Sequence, residues 1–181
     1  MELHEFEPFG KIARLSRDCV ITEKIDGTNA QISITDAGEM FIGSRTRWLS
    51  DKQDNHGFFK WATANKDELM KLGPGRHYGE WWGGSIQIGY GLKEKRFSLF
   101  NTSIWTAETK PACCHVVPIL YAGPFTSAAV EEAIEGLRRG GSVAAPGCMH
   151  PEGVVIFHTH SGQYFKKTLL NDEIPKSLVA V

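Results

Sequence analysis

The sequence predicts an α+β fold, largely antiparallel, with helices inserted between strands. Two observations carry this. Short runs that alternate apolar and polar residues are joined by tight turns, and the 3.6-residue periodicity of an amphipathic helix is clear in only one place. No internal repeat, low-complexity tract or long linker divides the 181 residues, so a single domain is expected over 1–181.

Asp18 to Ile25 and Asn29 to Thr35 read as strands. In the second, Ala30, Ile32 and Ile34 alternate with Gln31, Ser33 and Thr35, the period of a half-buried strand. Asp36 to Gly38 is a turn into a short third strand, Glu39 to Ile42. A helical region follows with Phe58, Trp61 and Ala62 on one face. Asn65 with Glu68 has the form of a capping box that restarts it, and Gly73-Pro74-Gly75 stops it. Strands return at Arg76 to Trp82, Phe97 to Trp105 and Val116 to Tyr121. Ser127 to Arg139 is the clearest helix, with Val130, Ala133, Ile134 and Leu137 at i, i+3, i+4 and i+7, closed by Gly140 and Gly141. Gly153 to His158 and Gln163 to Leu169 form a hairpin through Thr159 to Gly162.

Composition narrows the functional classes. No window approaches the ~18 apolar residues of a membrane span. The opening MELHEFEPFG has neither the basic nor the apolar region of a signal peptide, so a cytoplasmic protein with no membrane partner is expected. An adjacent pair, Cys113 and Cys114, and two single cysteines, Cys19 and Cys148, do not make a disulfide framework. Cys113-Cys114-His115 lacks the second ligand pair of a zinc site, and the histidines have no metal-ligand spacing; His158 and His160 read as surface. The net charge of −1 excludes nucleic-acid binding through bulk positive charge and leaves a local groove as the alternative.

The stretch VITEKIDGTNA places Lys24 and Asp26 just before Gly27. Alone it fits an exposed lysine beside a hairpin turn. It also fits a nucleophile, although only about one lysine in 2500 is neutral at pH 7 given a reference pKa of ~10.4. A catalytic site must lower that pKa by ~3, about 4 kcal/mol, through desolvation or nearby cations. Other short stretches follow in order: GSRTRW with Arg45 and Arg47, HYGEWWG with Glu80 before Trp81 and Trp82, RFSLFN with Phe100, HPEGVVIF with Glu152, and YFKKTL with Lys166 and Lys167. Trp81 and Trp82 read as core or pocket wall, because adjacent strand positions face opposite sides.

From Thr22 to about Leu169 this ordered set resembles the covalent nucleotidyltransferases, the superfamily of polynucleotide ligases and mRNA-capping enzymes. KIDGTN has Asn29 where DNA ligases and capping enzymes carry arginine, and so is similar to the RNA ligase 2 branch and its small phage and bacterial members. The resemblance implies a nucleotidyltransferase (adenylation) fold and an ATP-dependent RNA ligase. In that reading Lys24 attacks the α-phosphate of ATP and holds AMP, passes it to a 5′-phosphate, and a 3′-hydroxyl then displaces it. Asp26 would orient the nucleophile, and Arg45 would contact ribose or the incoming 5′-phosphate. Glu80 would bond the ribose hydroxyl and Phe100 would stack on adenine. Glu152 and Asp26 would place Mg²⁺ or Mn²⁺, and Lys166 would meet the α-phosphate. Thr22, Glu23, Ile25, Asn29 and Lys167 complete the implied nucleotide contacts.

Two departures from the family pattern stand out. The last motif is usually K-x-K, but here Lys166 is followed by Lys167 and Thr168, so Lys167 faces the other way on a regular strand; either one phosphate contact is missing, or Lys167 serves from the opposite side through a bulge. Only 12 residues follow Leu169, where family ligases append a nucleic-acid clamp. The expectation is a monomer without an OB or helical C-terminal domain, its grip on RNA or nicked ends weak or supplied by a partner protein. The alternatives are an enzyme that stops at nucleotide transfer, capping-like or with another acceptor, and an idle nucleotide- or nucleic-acid-binding module.

Overall fold

The computed structural model describes residues 5–173, so the first four residues of the N-terminal reading and most of the C-terminal tail lie outside it. Alternation folds as expected at the start of the chain. β1 (Asp18–Lys24) buries Cys19, Ile21 and Glu23, and β2 (Thr28–Ile34) buries Ala30, Ile32 and Ile34. β3 (Met40–Ser44), β4 (Gly75–Gly83), β5 (Lys95–Leu99) and β6 (His115–Val116) complete one sheet, in the order β3-β2-β4-β5-β6. β7 (Ile119–Pro124), β8 (Gly153–His158) and β9 (Gln163–Thr168) join β1 in the other, in the order β7-β1-β8-β9. Every pair is antiparallel except β5 with β6.

Each sheet buries its outer face under helices. α1 (Phe58–Ala64) and α2 (Lys66–Leu69) cover the five-stranded sheet, where Phe58, Trp81 and Phe97 pack with ring centroids 5.1–5.4 Å apart. Truncating such a ring costs about 3–5 kcal/mol. α3 (Ser127–Gly140) covers the four-stranded sheet with Val130, Ile134 and Leu137. Thr126 caps it by accepting the Ala129 N–H at 3.0 Å, and Arg138 and Arg139 complement the dipole in its last turn. A third cluster of Ile25, Trp82, Tyr90, Val117 and Ala145 lies between the sheets. Trp81 and Trp82 therefore occupy opposite faces of β4, both buried.

Four local readings are corrected. Asn65 makes no capping box: its amide donates to the Trp61 carbonyl at 2.8 Å, while Glu68 pairs with Lys71 and accepts the Ala112 N–H. The strand expected to reach Trp105 stops at Leu99, because Asn101 Oδ1 accepts the N–H and hydroxyl of Ser103 and closes a local turn. The strand expected over 116–121 breaks at Pro118, where the chain passes from one sheet to the other. There Val117 N–H still donates to Leu99 on β5, and Glu23 N–H of β1 donates to the Pro118 carbonyl. His158 is buried, its Nε2 bonded to the Leu15 carbonyl at 2.9 Å and its Nδ1 facing the Ser161 N–H at 3.2 Å.

Candidate active site

β1 ends on Lys24, and its pairing with β8 places Lys24 opposite Gly153. Glu152, one residue earlier, thereby meets the lysine: Lys24 Nζ donates to Glu152 Oε2 at 2.5 Å across 128 positions of sequence. Gly153 lets β9 lie close against the start of β8, since it takes φ of 154° and a Cβ there would lie 2.2 Å from the Lys167 carbonyl oxygen. Lys166, on β9 opposite Val155, faces the same cavity. Of the two arrangements open for Lys167, the structure has the one without a bulge: Lys167 turns away to an ion pair of 3.0 Å with Glu131 on α3, and Thr168 lines the cavity instead.

The other sheet supplies the facing wall. Asn29 and Glu80 are cross-strand partners, and the Asn29 amide donates to Glu80 Oε2 at 2.9 Å. Burial pushes the Glu80 carboxyl up to about 7, against the opposing effects of that amide and of Lys24. Arg45, in the turn after β3, also lines the cavity. The two walls enclose about 760 Å³, within the range of small-molecule sites.

The turn between β1 and β2 is anchored from several sides. Ile25 enters the cluster between the sheets, and Asp26 N–H donates to the Tyr90 hydroxyl at 2.7 Å. Gly27 lies so close to β4 that a Cβ would come within 2.6 Å of the Trp81 carbonyl oxygen. One residue before the lysine, the buried Glu23 carboxyl accepts from Ser142 Oγ at 2.5 Å, Val143 N–H at 2.8 Å and Ala144 N–H at 2.9 Å. Burial raises its pKa, and these bonds act in the opposite sense.

Lys24, Asp26, Asn29, Arg45, Glu80, Glu152 and Lys166 thus line one cavity. Thr22, Glu23, Ile25, Phe100 and Lys167 fall outside its lining. Thr22 shares a strand face with Lys24, whereas Phe100 continues β5 with its N–H on the Tyr78 carbonyl and is 39% exposed. Sequence reasoning passed over Tyr90, whose φ of 54° is unusual for a bulky side chain. The glycines of GSIQIGYG were its only signal. It also missed Arg138, His150 and Asp172 on the cavity wall, which no motif marks.

Two of these carboxylates, Asp26 and Glu152, suit a hard divalent cation, and among the described residues no cluster of three or more His, Cys, Asp or Glu side chains could hold a metal. That donor set fits Mg²⁺ or Mn²⁺ bound mainly by phosphate and water oxygens, and does not fit an all-protein metal cage.

A mixed fold of two antiparallel-rich sheets meeting over a lysine–carboxylate cleft is the RNA ligase nucleotidyltransferase-type fold. Structures of Naegleria gruberi RNA ligase variants share it. One without ligand has a TM-score of 0.61 at 23% identity, covering 84% of this chain and 50% of that one. One with ATP and Mn has a TM-score of 0.61 at 21% identity, and one with AMP and Mn 0.59 at 20%; each covers 85% of this chain and 50% of the other. The protein spans about half the length of these ligases. No curated protein sequence matches it. The RNA ligase family model matches residues 17–168, and the chain belongs to that family.

Proposed function

We propose that the protein is an ATP-dependent RNA ligase that works through a lysyl-AMP intermediate on Lys24. The observation that carries this reading is the Lys24–Glu152 contact inside a cleft that also gathers Lys166, Arg45 and the Asn29–Glu80 pair from separate strands and turns. The Naegleria gruberi structures with ATP or AMP and Mn support a nucleotide and a divalent metal as its ligands.

In this reading the described residues act as one adenylation unit. Glu152 Oε2 holds the Lys24 ammonium in place. The ammonium gives up its proton to solvent and leaves that contact, and the neutral amine then attacks the α-phosphorus of ATP. A nitrogen–phosphorus bond forms, the bond to the β-phosphate oxygen breaks, and pyrophosphate departs. Lys166 and Arg45 bring positive charge to the cleft, where charge builds on the transferring phosphoryl group. Glu80, held by Asn29, is an acceptor for a ribose hydroxyl. A divalent cation would be held by Asp26 and Glu152, and when bound it supplies charge neutralisation at the triphosphate. AMP then passes to an RNA 5′-phosphate, and a 3′-hydroxyl displaces it to seal the strand.

Intact mass after incubation with ATP and Mg²⁺ or Mn²⁺ tests the central step. Wild type gains one AMP and Lys24→Ala gains none. No gain in wild type rejects the reading, and an adduct formed with GTP alone replaces it with a capping-like transferase.

A further inference from the structure

The face of the five-stranded sheet that carries Asn29 and Glu80 continues beyond the cavity. Cross-strand pairing sets Gly43, Gln31 and Tyr78 in the next row, and Phe41, Ser33 and Arg76 in the row after that. These rows lie two and four residues along the strands, ~7 and ~13 Å from the Asn29–Glu80 pair. The chain turns back after β3, Trp48 bridges to Gly43, and the Trp48 ring lies 5.7 Å from that of Phe41. A Cβ at position 43 would lie 3.1 Å from Trp48 Cε3, so the indole rests closely on the strand at this glycine.

Three large rings are therefore open to water on one sheet face: Phe41 is 44% exposed, Trp48 51% and Tyr78 48%. The opposite face of the same strands is packed core. Neither outer row contains an acidic side chain. Arg45 and Arg47 in the turn, and Arg76 in the outer row, make no ion pair among the described residues. Arg45 also lines the cavity, so the face runs into the cleft without a break.

We propose that this face binds unpaired nucleotides of the RNA strand whose end enters the cleft. Bases stack on Trp48, Tyr78 and Phe41, and the three guanidiniums neutralise the phosphates between them. The assignment of the cleft to strand joining comes from the ligase reading above. Charge decides the occupant: exposed rings alone would suit a protein segment, but rings interleaved with arginines that make no ion pair among the described residues, in two rows without an acid, suit a polyanion with flat bases. The acids Asp36 and Glu39 lie at the far end of the face. Stacking accepts any base, so the face selects single-stranded ends and carries little sequence preference.

The test measures binding of a fluorescein-labelled single-stranded RNA bearing a 5′-phosphate, by anisotropy, with AMP-adduct formation followed in parallel by intact mass. Trp48→Ala weakens RNA binding ~10-fold and Trp48→Phe leaves most of it, while adduct formation is unchanged in both. Arg47→Gln and Arg76→Gln, surface changes that keep every ring, each weaken binding a fewfold and flatten its salt dependence. Binding of a blunt RNA duplex is unaffected by Trp48→Ala. The proposal is overturned if single-stranded affinity survives Trp48→Ala, if duplex affinity falls equally, or if the variant instead abolishes self-association seen by light scattering. RNA binding that responds as stated in a protein forming no adduct would retain the face and reject the ligase reading.

Discussion

Glu80 lies 7% exposed, and among the described residues the Asn29 amide is the one side-chain donor that bonds its carboxyl. Its pKa of about 7 stands above the ordinary glutamate value mainly because burial disfavours the charged form. A carboxyl raised in the folded state binds its proton more tightly there than in the unfolded chain. Its contribution to stability is thus fully present below the unfolded pKa of 4.5 and is lost as pH rises to about 7. The loss reaches up to about 3 kcal/mol. Urea unfolding of wild type and Glu80→Gln at pH 4.5 and pH 8 measures it: the variant should lose less stability across that interval. Equal losses would place the source elsewhere, with the buried Glu23 the next candidate, since burial shifts it in the same direction.

The turn that follows Lys24 is an element held in place by its neighbours. Asp26 N–H is satisfied by the buried Tyr90 hydroxyl, and that side chain is fixed by its edge-on contact with Trp82, ring centroids 5.0 Å apart. Tyr90→Phe keeps the ring and leaves a buried backbone donor without its acceptor, a cost of about 1–3 kcal/mol. The expected outcome is a lower unfolding midpoint together with slower AMP-adduct formation at saturating ATP, read by quenched-flow mass measurement. A stability loss with an unchanged adenylylation rate would limit Tyr90 to the core. Elements were legible in the sequence where one side-chain period ran long enough to register, as in β2, α3 and the β8–β9 hairpin. They were not legible where a single contact overrode the period. Asn101 ends β5 with its own side chain, Pro118 splits a run that looked continuous, and His158 is buried by a carbonyl 143 positions away. The cavity-lining motif residues were legible because each stands in a short motif. Tyr90 and the Glu23 bonds to 142–144 were not, since they depend on distant chain meeting behind the site.

At the scale of the whole molecule, the chain crosses between the sheets at Ile25–Gly27 and at Val117–Pro118, and both crossings adjoin β1, the strand that ends on Lys24. The cleft is consequently a property of how the two sheets meet, with Lys24, Glu152 and Lys166 from one and Asn29, Glu80 and Arg45 from the other. Charge is distributed in the same local way. A net charge of −1 gives a polyanion no general attraction, so the RNA binding proposed above rests on local charge, that of the arginines beside the cleft. Three guanidiniums at ~0.7 released counterions each predict that the logarithm of the RNA association constant falls against the logarithm of salt concentration with a slope of about −2. Titrations of single-stranded RNA between 50 and 300 mM salt, set by the experimenter at roughly even logarithmic steps, measure that slope. A slope near zero would remove the arginines from the interface. A slope steeper than about −5 would require a basic surface wider than Arg45, Arg47 and Arg76 provide.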